Sequence, residues 1–197
     1  MGIIDYGSQL WCPTDPSLLA DIEGLQRTFT AHTKGLEDMD YWKPLRAMKL
    51  TSIDRRFQRY RIIYVWKIIN GYVRNCGLKW FDHIYNGTLI EINHPDTKKV
   101  RNHALELWRQ TLPINGGALF NILPRDIRDI KGVSVNTFKN HLDKFLESIP
   151  DCPRAYPLLP VPINPLSNKN SNCIIDWIRY IGRNKHNYNG DNMIYML

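Results

Sequence analysis

Apolar positions in this chain recur mostly at helical rather than alternating intervals. The clearest run is 51–72, where Ile53, Phe57, Tyr60, Tyr64 and Ile68 are spaced 4, 3, 4 and 4 apart, one stripe of an α-helix. Thr51 is placed to cap it, Asp54 lies at the positive end of its dipole, and Asn70-Gly71 stops it. From Ile62 to Ile69 nearly every position is apolar, which predicts burial all round for the second half. Asp15-Pro16 opens an earlier helix marked by Leu18, Leu19, Ile22, Leu25 and Phe29, reaching about His32 before Lys34-Gly35. Asp40 caps a short helix with Tyr41, Trp42, Leu45 and Met48, and Ser134 opens the last strong one, striped by Phe138, Leu142, Phe145, Leu146 and Ile149. Between Val73 and Thr111 the periodicity weakens. Thr88–Ile92, bounded by Asn86-Gly87 and by Pro95, reads as a strand. Asn115-Gly116-Gly117 reads as a turn before Ala118–Pro124. Ile3, Ile4, Tyr6, Leu10 and Trp11 crowd the first dozen positions. They call for a partner surface, as in a chain cut from something longer or one whose first element packs hard on the rest.

The expected fold is mainly α, about five helices around one core with at most a small β-hairpin, over residues 1–150. Six of the twelve prolines lie between Pro150 and Pro165, so 151–171 reads as an extended linker. Its two Pro-X-X-Pro matches read as linker rather than as ligand. Ile174, Trp177, Ile178 and Ile181 share one helical face, which makes 172–183 a short docking helix and leaves 184–197 as a flexible tail.

Charge sharpens this outline. The net charge of +7 divides as −2 over residues 1–50, +6 over 51–80 and +3 over 81–197. Arg55, Arg56 and Arg59 fall on an arc of roughly 100° beside the apolar stripe of the central helix, with Arg61 on its other side. A localised basic patch suits a phosphate-bearing partner. The candidate contacts to an RNA or DNA backbone are therefore Arg55, Arg56, Arg59 and Arg61, assisted by Lys98, Lys99 and Arg101. The competing reading is that these arginines pair with acids elsewhere, notably in the acidic first fifty residues. A helix-turn-helix reader at Met48–Ser52 is disfavoured, because the following helix is too apolar after Ile62 to lie exposed in a groove.

Other chemistry finds little support. No apolar run reaches the roughly 20 residues needed to cross a membrane, and Met1–Asp5 lacks the parts of a secretory signal. Cys12, Cys76, Cys152 and Cys173 show no metal-binding or disulfide spacing, which fits an intracellular protein of the nucleus or cytoplasm, not a secreted one. The six histidines are scattered, so no metal and no cofactor is expected. Glu37-Asp38 is the only adjacent acidic pair, and it sits in a polar loop rather than at strand ends. Asp126 and Asp129, beside Arg125 and Arg128, read as local ion pairing. No nucleophile elbow, activated cysteine or phosphate loop is present, and no small-molecule substrate is expected.

An ordered series of segments resembles the region after the polymerase core in reverse transcriptases of non-LTR retrotransposons, the jockey-like and related elements. Tyr6-Gly-Ser-Gln-Leu-Trp-Cys-Pro13 is similar to that family's Tyr-X-Ser-X-Leu-Trp-X-Pro, and Ile22-Glu-Gly-Leu-Gln-Arg27 to its Ile-Glu-X-Val/Leu-Gln-Arg helix. Tyr41–Leu45, Leu50–Arg56 and Tyr64–Gly71 follow in order. Leu119-Phe-Asn-Ile-Leu-Pro124 resembles Phe/Trp-Asn-X-Leu-Pro, and Val133–Lys139 with Leu142–Leu146 closes the series. The interval after Arg101 is shorter than the family's. The resemblance implies a non-catalytic C-terminal fragment of an RNA-directed DNA polymerase, since the catalytic aspartates are absent from this chain. It implies a place beyond the thumb, helping to hold template RNA or target DNA. The alternative is a structural packing module for the upstream reverse transcriptase domains, with no activity of its own.

Overall fold

In the computed structural model, which describes residues 3–13, 16–35, 41–92, 102–149 and 151, the chain opens with a 3-10 turn, Ile3–Asp5, and the helix α1, Ser8–Trp11. α2, Pro16–Ala31, begins on its proline, where the missing N–H has no helical partner to lose. α3, Trp42–Ala47, precedes α4, Ile53–Ile69. β1, Trp80–His83, pairs antiparallel with β2, Gly87–Ile90, setting Trp80 opposite Ile90 and His83 opposite Gly87. There follow α5, Asn102–Gln110, a wide π-type turn at Leu112–Gly116, α6, Gly117–Ile122, α7, Arg125–Arg128, and α8, Val135–Glu147. The mainly α expectation holds, with one small hairpin among the described residues. α2, α4, α5 and α8 run nine residues or more, and the other four helices four to six.

α4 runs through two apolar clusters. Its rear half supplies Ile62, Ile63, Val65, Trp66 and Ile68 to the larger one, against Leu78, Ile90, Leu112, Leu119, Phe120, Leu123 and the α8 stripe of Phe138, Leu142 and Leu146. Trp66 stacks on Phe138 with centroids 4.3 Å apart, and its indole N–H donates to the Ile130 carbonyl at 2.7 Å. The front half of α4 joins a smaller cluster through Ile53 and Phe57, which meet Cys12 and Leu19. Trp11 packs edge-on against Phe57 at 5.3 Å. The crowded N-terminus thus spends part of its apolar surface on the front of α4.

Several local expectations change. The cap of α4 is Ser52, not Thr51: the Ser52 hydroxyl accepts from the Arg55 N–H. Asn70 and Gly71, at φ 74°, end the helix as expected. Gly116-Gly117 is no turn but continuous with α6. A Cβ on Gly116 would lie 2.8 Å from Leu112 of its own turn and 3.1 Å from Val65 of α4, and one on Gly117 2.8 Å from Ile90, so these glycines let the backbone approach α4 and β2. β1 and α5 were not legible in the periodicity. Residues 152–197 lie outside the described residues, and with them nearly all of the linker 151–171, the docking helix 172–183 and the tail 184–197. The site residues Lys98, Lys99 and Arg101 lie outside as well.

Candidate nucleic-acid interface

The four α4 arginines do not form a common exposed edge. Arg55 is 4 % exposed and sits under the end of α8, donating from Nη1 to the Leu146 carbonyl at 2.9 Å and from Nη2 to the Ile149 carbonyl at 3.1 Å. The Leu146 carbonyl, in the last turn of α8, also accepts from the Ile149 N–H at 3.1 Å, and Ile149 lies beyond the helix. Arg61 is 3 % exposed, and donates to the Asn115 side-chain oxygen and, at 3.1 Å, to the Cys12 carbonyl. The expected phosphate contacts by Arg55 and Arg61 are corrected accordingly: neither guanidinium reaches the surface.

Arg56 and Arg59 keep about a quarter of their side chains exposed, each beside a carboxylate. Arg56 approaches Asp5 at 3.5 Å and donates to the Gln26 side-chain oxygen. Arg59 grips Asp143 of α8 through both Nε and Nη2, the second at 2.7 Å. Asp143 holds the Arg59 guanidinium yet more firmly protonated, against the opposing effect of its burial. The acidic N-terminal region does supply one of the partners that the competing reading required.

Around the start of α4 the motif residues converge. Glu23 of α2 accepts from the Tyr41 hydroxyl and, on its other oxygen, from the Ile53 N–H at 2.8 Å. Gln26 donates to the Tyr41 hydroxyl and to the Thr51 carbonyl at 3.1 and 3.0 Å. Asp151 accepts from the Ser52 N–H and hydroxyl, both at 2.7 Å. Two carboxylates thereby occupy the positive end of the α4 dipole and satisfy donors that the helix leaves open. Burial pushes the Glu23 carboxyl above its ordinary value, against the hydrogen bonds from Tyr41 and Ile53 that favour its ionised form. Burial, then the hydrogen bond to Glu23, raises the Tyr41 phenol.

The second half of the chain repeats the pattern. The Asn121 side chain accepts from the Ile90 N–H at 2.7 Å and donates to the Ile90 carbonyl at 2.8 Å, imitating a third strand along β2. Asp129 accepts from the Thr88 N–H at 2.8 Å, and its carboxylate fills the space where a Cβ on Gly87 would lie. Arg128, buried, donates to the Asn121 and Asn86 carbonyls, and desolvation lowers its pKa. Arg125 pairs with Asp129 at 3.1 Å, the local pairing expected of this segment.

One surface feature escaped the sequence reading. All four β1 residues are exposed, and the hairpin tip carries Ile84 and Tyr85 at 85 and 82 % exposure. Beside it lies an open cavity of about 320 Å³ whose charged lining includes Asp82, Arg125, Asp129 and Lys131. These charges are mutually engaged: Asp82 accepts from Thr88 at 2.6 Å and meets Lys131 at 3.2 Å, which lowers its pKa. The run Trp80-Phe81 ahead of Asn86-Gly87 was the available signal for this hairpin.

Among the described residues no His, Cys, Asp and Glu side chains gather as a metal site, and no helix is long and apolar enough to cross a membrane. Comparison with protein-family models, with curated proteins and with solved structures found no match.

Proposed function

We propose that this chain is a non-catalytic packing module from the C-terminal region of a retroelement RNA-directed DNA polymerase, acting inside the cell against the upstream reverse transcriptase domains. The observation that carries the reading is where the resemblance-bearing residues go. Glu23, Gln26, Tyr41, Arg55, Arg56 and Asn121 all belong to the quoted segments, and each spends its polar atoms on another element of this fold. Those segments describe how the module holds together. None of them assembles a reacting centre among the described residues.

Backbone binding to RNA or DNA is the second reading. It is favoured by Arg56 and Arg59, the two α4 arginines that retain exposure. A phosphate there has to compete with Asp5 or Asp143. Filter binding of single-stranded RNA and duplex DNA across a salt series separates the two readings. The packing module predicts that Arg56→Gln and Arg59→Gln leave any salt slope unchanged. Phosphate contact predicts a slope shallower by about 0.7–0.9 per arginine removed, and that outcome would overturn the packing role of this edge.

A further inference from the structure

α2 carries more apolar surface than the described fold uses. Leu19, Gln26 and Thr30 face inward, and Ile22 lies at the margin of the smaller cluster. Leu18, Leu25 and Phe29 remain 52, 63 and 65 % exposed. At 100° per residue these three fall within about 40° of one another. With Ile22 they repeat at intervals of 4, 3 and 4, the seam into which a second helix fits its side chains. Isolated apolar residues on a surface are ordinary, whereas an aligned row along one helix marks an interaction face.

The described chain ends beside this helix. Asp151 is held on Ser52, and the adjacent Ile53 N–H is held by Glu23 of α2. In sequence, 22 residues (152–173) separate Asp151 from the stripe of Ile174, Trp177, Ile178 and Ile181. Even a proline-rich tether of that length reaches about 70 Å, at ~3.1 Å per residue. The 16 residues of α2 span only about 24 Å. A tether of this kind holds its end at an effective concentration on the order of 1 mM, far above that of a second molecule in dilute solution. The stripe's offsets of 3, 4 and 7 from Ile174, like those of 4, 7 and 11 from Leu18 along the α2 seam, keep to one helical face.

We infer that residues 174–181 seat this apolar stripe on the Leu18–Leu25–Phe29 face of α2, closing it within one chain. The contact is intramolecular, so it stands or fails apart from any retroelement origin. The test uses the full chain at low micromolar concentration, with a photocrosslinking phenylalanine analogue in place of Phe29. The expected product is a monomer crosslinked to residues 174–181, lost when Trp177→Asp and Ile178→Asp are introduced together. The same pair should speed hydrogen exchange across 18–29 several-fold while leaving the main melting transition in place. Leu25→Lys should reciprocally speed exchange across 174–181. Crosslinks that join two molecules, crosslinks to another part of the chain, or exchange rates unmoved by either variant overturn the assignment.

Discussion

A guanidinium presents five donors in one plane, and Arg55 uses that geometry to gather chain ends. It joins the Leu146 carbonyl in the last turn of α8 and the Ile149 carbonyl beyond it to the first turn of α4, with Asp151 3.9 Å from its Nε. Burying a cation is costly, and the cost is offset only while its acceptors stay in place. Truncation would take a donor from each of two buried carbonyls and leave Asp151 short of a cation. Arg59 makes a better-formed ion pair, but water reaches both partners, at 24 and 39 % side-chain exposure. Solvent screening reduces what such a pair contributes. Arg55→Ala should therefore lower the free energy of unfolding by about 3 kcal/mol, and Arg59→Ala by about 1 kcal/mol. Urea unfolding of the two variants decides this. Equal costs, or a larger one at Arg59, would contradict the division between internal strut and surface pair.

At the scale of elements, the α2–α4 junction is the place where pH should be felt. Glu23 faces the start of α4, and burial raises its pKa above the ordinary 4.5, with Asp151 pushing the same way and the hydrogen bonds from Tyr41 and Ile53 and the charge of Arg56 opposing. A carboxyl with a raised folded value takes up a proton on folding in the window between its unfolded and folded values. Its contribution therefore weakens as pH rises through that window. Glu23→Gln removes the titration, so its stability relative to the natural chain should improve as pH climbs from 4.5 and level off above the folded value. Urea midpoints at stepped pH values read this directly; a difference that stays flat, or moves the other way, would refute it. The helices themselves were legible because their stripes are long: Ser134 caps α8 and Asn70-Gly71 closes α4 as the pattern implied. The arginine arc was misread for a physical reason. Periodicity places a side chain on a face, but whether that face meets water depends on elements distant in sequence. Leu146 lies 91 residues from Arg55, and Asn115 54 residues from Arg61. Gly116-Gly117 was misread likewise, since turn chemistry and close packing both call for glycine.

For the whole molecule, the net charge of +7 is less available than it looks, because Arg55, Arg56 and Arg59, three of the seven cations of 51–80, lie against carboxylates. What remains is a chain with two apolar clusters threaded by one helix. Separate clusters can melt separately. Here the ties cross between them: Arg61 joins the Cys12 carbonyl of the smaller cluster to Asn115 ahead of α6, and Arg55 joins the start of α4 to the end of α8. Breaking either cluster strands buried polar groups that the other half depends on. The molecule should consequently unfold as one unit. Leu19→Ala, in the smaller cluster, and Phe138→Ala, in the larger, should each cost about 2–5 kcal/mol and shift the same single transition. Far-ultraviolet and near-ultraviolet circular dichroism would report this, with hydrogen exchange resolved along the chain. If Leu19→Ala releases α1 and α2 while the α4–α8 stack of Trp66 on Phe138 stays protected, the arginine ties do not couple the two halves, and α4 is a shared wall rather than a hub.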